Sequence, residues 1–173
     1  MKFLMGTAFS AILLTVLAQG RSEDMKNLEV SLGSSQFPAE YTCDGRDVSP
    51  KIEISGINAE SMAMILEDPD APSGTFTHWV IWNIKPTTVI PDNIPKTAVV
   101  KKPIEAVQGM NTEREIGYFG PCPPSGRPHR YILRVYGLDR MFDLRPGSNR
   151  TDLEKAMKGH IIQQGVAVAT YGR

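Results

Sequence analysis

An all-β sandwich of two antiparallel sheets with one or two short helices is the fold this sequence predicts. Three observations carry it. Short runs of alternating, β-branched or aromatic residues recur from Leu28 to Thr170. Gly, Pro and Asp-Gly punctuation separates them. Helical spacing stands out over one segment, Thr151 to about Gly159. A chain of many short strands and few helices buries most apolar surface by facing one sheet against another.

The strands follow in order. Leu28, Val30 and Leu32 alternate with polar residues, as in a half-buried strand. Asp44-Gly45 marks a turn, and Pro50 forces Ser49 into extended backbone. Ile52 and Ile54 alternate until Gly56 ends the strand. Ser61 to Leu66 is apolar and lies between Gly56 and Pro69, which favours a buried strand over a helical turn. It delivers a stiff polar loop, Glu67 to Gly74. His78 to Ile84 is β-branched and aromatic, hence strand. Pro86, Pro91 and Pro95 mark an irregular connection, Val99-Val100 a short strand, and Ile104 to Gly117 a loop.

Gly117 to Tyr131 is richer in backbone constraint than any other stretch. Pro121, Pro123, Pro124 and Pro128 fix φ and remove amide donors, while Gly117, Gly120 and Gly126 admit conformations a Cβ resists. Tyr131 to Leu138 then reads as a strand that buries one face or both. In the helix, Thr151 and Glu154 fit a capping box, Leu153, Ala156 and Met157 form the apolar stripe, and Gly159 stands at the C-terminal cap. Val166 and Val168 alternate with small residues in a last strand, Gly165 to Thr170.

Lys2, the uncharged apolar run Phe3 to Leu17, and small residues at Ala18 and Gly20 read as a signal peptide over residues 1–20. The run is shorter than the ~20 residues of a membrane span, so cleavage is expected over anchoring. Residues 21–173 then form one exported domain, periplasmic or secreted, with no transmembrane segment after cleavage. Lys+Arg and Asp+Glu balance at 19 each, so nucleic acid is not an expected partner. Cys43 and Cys122 make either one disulfide or two buried thiols. Neither a cofactor nor a structural metal is expected; zinc usually takes four ligands at short spacings.

The loops at Asp68–Gly74 and Gly117–Arg130 share a build: stiff, polar and next to a strand carrying a histidine. Stiff loops at strand mouths are where scaffolds present sites. Asp68, Asp70, His78 and His129 can converge there, a carboxylate orienting an imidazole that with backbone amides holds an anion. Trp79, Tyr118 and Tyr131 are the candidate walls. A plain turn at Asp68-Pro69-Asp70, a core histidine at His78 and a surface histidine at His129 are the simpler alternatives.

Asp68-Pro69-Asp70-Ala71-Pro72-Ser73, His78-Trp79, and Gly120-Pro121-Cys122-Pro123-Pro124 with His129-Arg130-Tyr131 closely resemble the two signature regions of the phosphatidylethanolamine-binding protein family, also called Raf kinase inhibitor protein-like. Tyr41-Thr42-Cys43-Asp44-Gly45, Ser49-Pro50 and Ala169-Thr170-Tyr171-Gly172-Arg173 look like its bacterial and archaeal branch. The resemblance implies a β-sandwich with a small anion pocket at one end. The pocket carries over to Asp68, Ala71, Pro72, His78, Gly120, Pro123, Pro124, His129 and Tyr131, with a cis Ala71–Pro72 peptide. It also implies a phosphate-bearing or otherwise anionic small molecule or lipid head group as ligand. An unidentified protein partner and a homodimer follow by the same analogy. No counterpart of the long C-terminal helical extension of eukaryotic members is expected in this chain.

The leading expectation is therefore a non-catalytic binding protein. A hydrolase would need a nucleophile, and Ser73 and Ser125 are the candidates, although no Gly-x-Ser-x-Gly elbow occurs. Asp68, His78 and His129 would be the metal set of a metal-dependent version. A secreted protease inhibitor or effector would act through a surface such as Thr87–Lys102. Asn149-Arg150-Thr151 matches a glycosylation acceptor, but capping explains Thr151.

Overall fold

The chain turns where Gly, Pro or Asp-Gly cluster, and the longest runs between those points are strands. A computed structural model describes residues 26–173. The expected signal peptide lies outside the described residues. The elements are β1 (Lys26–Asn27), β2 (Glu29–Ser31), a 3₁₀ turn (Ala39–Tyr41), β3 (Ile52–Ser55), β4 (Ser61–Asp68) and β5 (Phe76–Ile84). They continue as β6 (Val89–Ile90), β7 (Val99–Val100), β8 (Ala106–Gln108), β9 (His129–Leu138), α1 (Arg150–Met157) and β10 (Ile161–Tyr171).

The strands form two sheets. The larger runs β1-β10-β9-β4-β5-β8-β7 and the smaller β2-β3-β6. Pairing is antiparallel throughout except between β1 and β10, which is parallel. The alternating Leu28–Leu32 segment is split between the sheets. Lys26 pairs with Gln163 in the larger, Val30 with Ile54 in the smaller, and buried Leu28 lies at the crossover. In β3, Ile52 and Ile54 point inward while Glu53 and Ser55 face water, as the period of two dictates.

The inner faces enclose a core that includes Ile52, Ile54, Met62, Met64, Leu66, Trp79, Ile81, Tyr131 and Leu133. Strand β4 is buried at every position because both its faces are covered. On the outer face, Ala63 and Ile65 of β4 and Val80 and Trp82 of β5 pack against Leu153 and Met157 of α1. The last strand reverses the simple reading of its valines. Val166 and Val168 are each 49% exposed, and the small residues Ala167 and Ala169 face the core. Helix α1 packs over β4 and β5 and reaches only Ile161 at the start of β10, whereas Val166 and Val168 further along that strand are exposed. The segment read as loop, Ile104–Gly117, contains β8, which pairs with both β5 and β7.

The helix begins earlier than its Thr151–Glu154 pattern suggests. Asn149 is the N-cap: its side chain accepts from Asp152 N–H at 3.1 Å, and the Asp152 carboxylate accepts from Asn149 N–H at 3.1 Å. Asn is the stronger cap, and Asp152 completes the reciprocal box that Glu154 was expected to form. Glu154 instead pairs with Arg150 one turn earlier, at 2.8 Å. We expect Asn149→Ala to cost about 1 kcal/mol in urea unfolding and Thr151→Ala less than about 0.5.

Cys43 and Cys122 are joined in a disulfide, with Cα atoms 5.4 Å apart. No described helix is long and apolar enough to cross a membrane. The expected cis bond at Ala71–Pro72 is corrected: among the described residues the cis X-Pro bond is Lys102–Pro103. Gly74 N–H donates to Ala71 O at 3.1 Å, closing a turn with Pro72 in its second position. A trans proline's φ suits that position, and Gly74, at φ +98°, takes the conformation a side chain would resist.

Candidate functional site

Strand β4 ends in a register irregularity between Leu66 and Glu67, and Asp68 follows at the strand's mouth. Such irregularities re-aim side chains. The Asp68 carboxylate is sealed to 5% exposure and makes two bonds. Oδ1 accepts from Asp70 N–H at 2.8 Å, fixing the loop that follows. Oδ2 pairs with Nδ1 of His129 at 2.7 Å. Since a carboxylate only accepts, His129 Nδ1 carries the hydrogen. His129 opens β9, so this bond joins the ends of two neighbouring strands.

Asp70 does not converge on the same space as Asp68 and the histidines. It faces Arg130, taking the backbone N–H at 3.0 Å and the guanidinium at 2.9 and 2.8 Å. Those Arg130 hydrogen bonds hold its carboxyl well below the usual carboxylate range. Asp70 thus locks the Asp68–Gly74 loop to β9 from outside.

The Gly117–Arg130 loop is anchored from the other side. Tyr118 Oη–H donates to Tyr41 O at 2.6 Å, Gly120 N–H to Asp47 Oδ1 at 2.6 Å, and Cys43 N–H to Pro121 O at 3.1 Å. The disulfide adds a covalent tie between the same segments. Gly120 is required by approach: a Cβ there would meet Tyr41 O at 2.7 Å and Asp47 Oδ1 at 2.8 Å. Phe119 and His78 bond reciprocally. Phe119 N–H donates to His78 O at 2.9 Å, and the Phe119 carbonyl lies 2.7 Å from His78 Nδ1. A carbonyl has no proton to give, so His78 Nδ1 carries the hydrogen.

These contacts enclose a cavity of about 350 Å³. Of the expected ligand-binding residues, Asp68, Ala71, Pro72, His78, Pro123, Pro124 and His129 line it. Gly120 and Tyr131 do not. Gly120 sits in the loop's anchor, and Tyr131 is buried behind the cavity, edge-on to His78 at a centroid distance of 5.2 Å. Phe76, Glu113, Phe119 and Cys122 complete the lining. Phe76 was legible in principle, because it shares a strand face with His78 two residues on. Glu113, in a loop without pattern, carried no signal. The aromatic walls are Phe76 and Phe119, with rings 5.8 Å apart, rather than Trp79 and Tyr118. Trp79 is in the core, donating Nε1–H to Gln108 at 2.7 Å. Neither Ser73 nor Ser125 lines the cavity. Among the described residues no group of three His, Cys, Asp or Glu side chains is placed to hold a metal ion.

Burial pushes the His78 imidazolium down to about 4 from 6.5, despite the opposing pull of the Phe119 carbonyl and the Asp68 and Asp47 carboxylates. The folded state therefore binds fewer protons than the unfolded state between those values. Stability is full above pH 6.5, declines as pH falls, and has lost this contribution once pH passes below 4. The shift corresponds to about 3 kcal/mol. Urea unfolding across that window should show a loss of this order in wild type that shrinks in His78→Gln.

Comparison with known proteins agrees with the architecture. The profile of the family described as "Phosphatidylethanolamine-binding protein" matches residues 29–172. A UPF0098 protein of Pyrococcus abyssi is 52% identical over 158 residues, covering 89% of each chain. A UPF0098 protein of Aquifex aeolicus is 40% identical over 143 residues, covering 80% of this chain and 82% of that one. Among solved structures, a phosphatidylethanolamine-binding protein homologue of Chlamydia trachomatis superposes with TM-score 0.74 at 34% identity, covering 85% of this chain and 97% of that one. An E. coli protein described as a new member of the mammalian PEBP family superposes with TM-score 0.76 at 25% identity, covering 84% and 98%. With its two sheets, its paired-loop cavity and a profile match spanning both, the chain belongs to the phosphatidylethanolamine-binding protein family.

Proposed function

We propose that this protein is an exported binder of a small phosphate-bearing head group, held in the Asp68–His78–His129 cavity without chemical change. The observation that carries the reading is the buried Asp68–His129 pair at the mouth of two strands. It sets an oriented imidazole in a cavity walled by proline and phenylalanine. The polar groups suit one oxyanion, and the apolar walls suit the short chain attached to it. Both loops are fixed by internal bonds before any ligand arrives, so little ordering entropy opposes binding. Catalysis fits less well, because the candidate serines lie off the cavity. Export rests on the Lys2–Gly20 pattern and on a disulfide of the kind oxidising compartments maintain.

A calorimetric titration with phosphoethanolamine tests the reading. Wild type should give saturable heat, and His129→Ala should weaken binding at least tenfold while remaining folded. Absence of heat with wild type, or release of free phosphate during the titration, would contradict it. Processing near Gly20 is checked by N-terminal sequencing of protein recovered outside the cytoplasm.

A further inference from the structure

The polar inventory of the cavity determines which protonation state of an oxyanion it can satisfy. His78 Nδ1–H is committed to the Phe119 carbonyl at 2.7 Å. In the neutral ring the remaining nitrogen, Nε2, is therefore a hydrogen-bond acceptor. No side-chain hydrogen bond to it is formed among the described residues, yet it is not sealed. Among the described residues, the buried polar side-chain atoms that make no hydrogen bond are Glu67 Oε1, which is ion-paired with Arg150, and Trp82 Nε1, both elsewhere. His78 Nε2 is thus accessible from the cavity that its ring lines. Glu113 adds an acceptor at the same cavity. Asp68 has both oxygens engaged. His129, whose Nδ1–H is held by Asp68, turns Nε2 to the other side of the cavity, a donor there whenever the ring carries both hydrogens.

A fully deprotonated oxyanion has acceptors only. It would set an oxygen lone pair against His78 Nε2 and a second negative charge near Glu113. An oxyanion that keeps one proton satisfies both sides: its O–H donates to His78 Nε2 and its other oxygens accept from His129 Nε2–H. Resting on the head-group reading above, we infer that the cavity selects the singly protonated, monoanionic form of a phosphate ester, with His78 Nε2 as the proton acceptor that excludes sulfate esters. No bond is made or broken; the ligand's proton is shared in a hydrogen bond.

The charged and titratable groups around His78 agree with an acceptor role. They are Asp47 from the loop beyond the 3₁₀ turn, Asp68 on β4, His129 and Tyr131 on β9, and Glu113 beyond β8. The carboxylates favour an imidazolium, but burial of the ring outweighs them and keeps it neutral at physiological pH.

Phenyl phosphate and phenyl sulfate make the test. Near pH 5 both carry a single negative charge, since the second phosphate proton leaves only near pH ~6. They share shape and an apolar ring for the phenylalanine walls, and differ in one proton. An acceptor left facing an acceptor discriminates by about 100-fold. Calorimetry at pH 5 should therefore show phenyl phosphate binding about 100-fold tighter than phenyl sulfate. Its apparent affinity should fall about tenfold per pH unit above ~6 as the monoanion disappears. In His78→Gln, whose amide can turn a donor to the cavity, the preference should collapse to a few-fold. The wild-type ligand pair decides the matter even if that variant fails to fold. Equal binding of the two esters, or phosphate binding that strengthens with pH, would overturn the role of His78 and leave the head-group reading standing. Binding of neither ester, together with no heat from phosphoethanolamine, would overturn both.

Discussion

Asp68→Ala is expected to cost about 4 kcal/mol of stability and to abolish ligand binding. The carboxylate is 5% exposed and satisfies two donors, Asp70 N–H and His129 Nδ1–H. Removing one member of a buried, hydrogen-bonded pair leaves its partner unsatisfied in a low-dielectric setting, which typically costs about 3–5 kcal/mol. Asp68→Asn separates the two consequences. Its oxygen still accepts from the loop amide, so the stability loss should fall to about half. Its NH₂, however, faces the hydrogen of His129 Nδ1 and turns the ring or its tautomer away. Binding should then be lost in a protein that remains well folded by thermal melting. A His129 that still titrates ligand normally in Asp68→Asn would show that the carboxylate does not orient it.

Breaking the Cys43–Cys122 bond ranks alongside. It closes a loop across 79 positions of sequence. A cross-link of that span removes about 4 kcal/mol of conformational freedom from the unfolded chain. The double Cys43→Ser, Cys122→Ser variant should melt roughly 10 °C below wild type. Reductant should shift wild type toward the variant and leave the variant unchanged. The effect should also reach the site, because Cys122 lines the cavity and the 39–47 segment anchors the facing loop. Phosphoethanolamine affinity should drop several-fold in the variant. A shift of a degree or two would mean that the noncovalent anchors at Tyr118, Gly120 and Pro121 suffice to organise the loop.

Much of the architecture was legible because local pattern and tertiary role coincide. Ile52 and Ile54 alternate and face one core. Ser61–Leu66 is uniformly apolar because both of its faces are covered. The departures occur where long-range packing overrides the local signal. Val166 and Val168 have the stronger β character, yet the alternating Ala167 and Ala169 face inward and the valines are exposed. The helix starts at the better cap, Asn149, and not at Thr151. At the site, stiff loops and signature residues located the cavity, but hydrogen-bond partners assigned the roles. Asp68 and Asp70 are two positions apart and look equivalent in sequence. One turns inward to His129, the other outward to Arg130, and only the fold distinguishes them. Glu113 reaches the cavity from a patternless loop, and Phe119 from the position just before the signature's Gly120.

A crystal structure of the protein with phosphoethanolamine tests the central claim most directly. The account predicts the phosphate group between the two histidines, with oxygens within ~3 Å of His78 Nε2 and His129 Nε2 and the ethanolamine chain along the Phe76–Phe119 wall. A phosphate group bound instead in the separate cleft beside Thr170–Arg173, or a cavity that stays empty at saturating ligand, would contradict it.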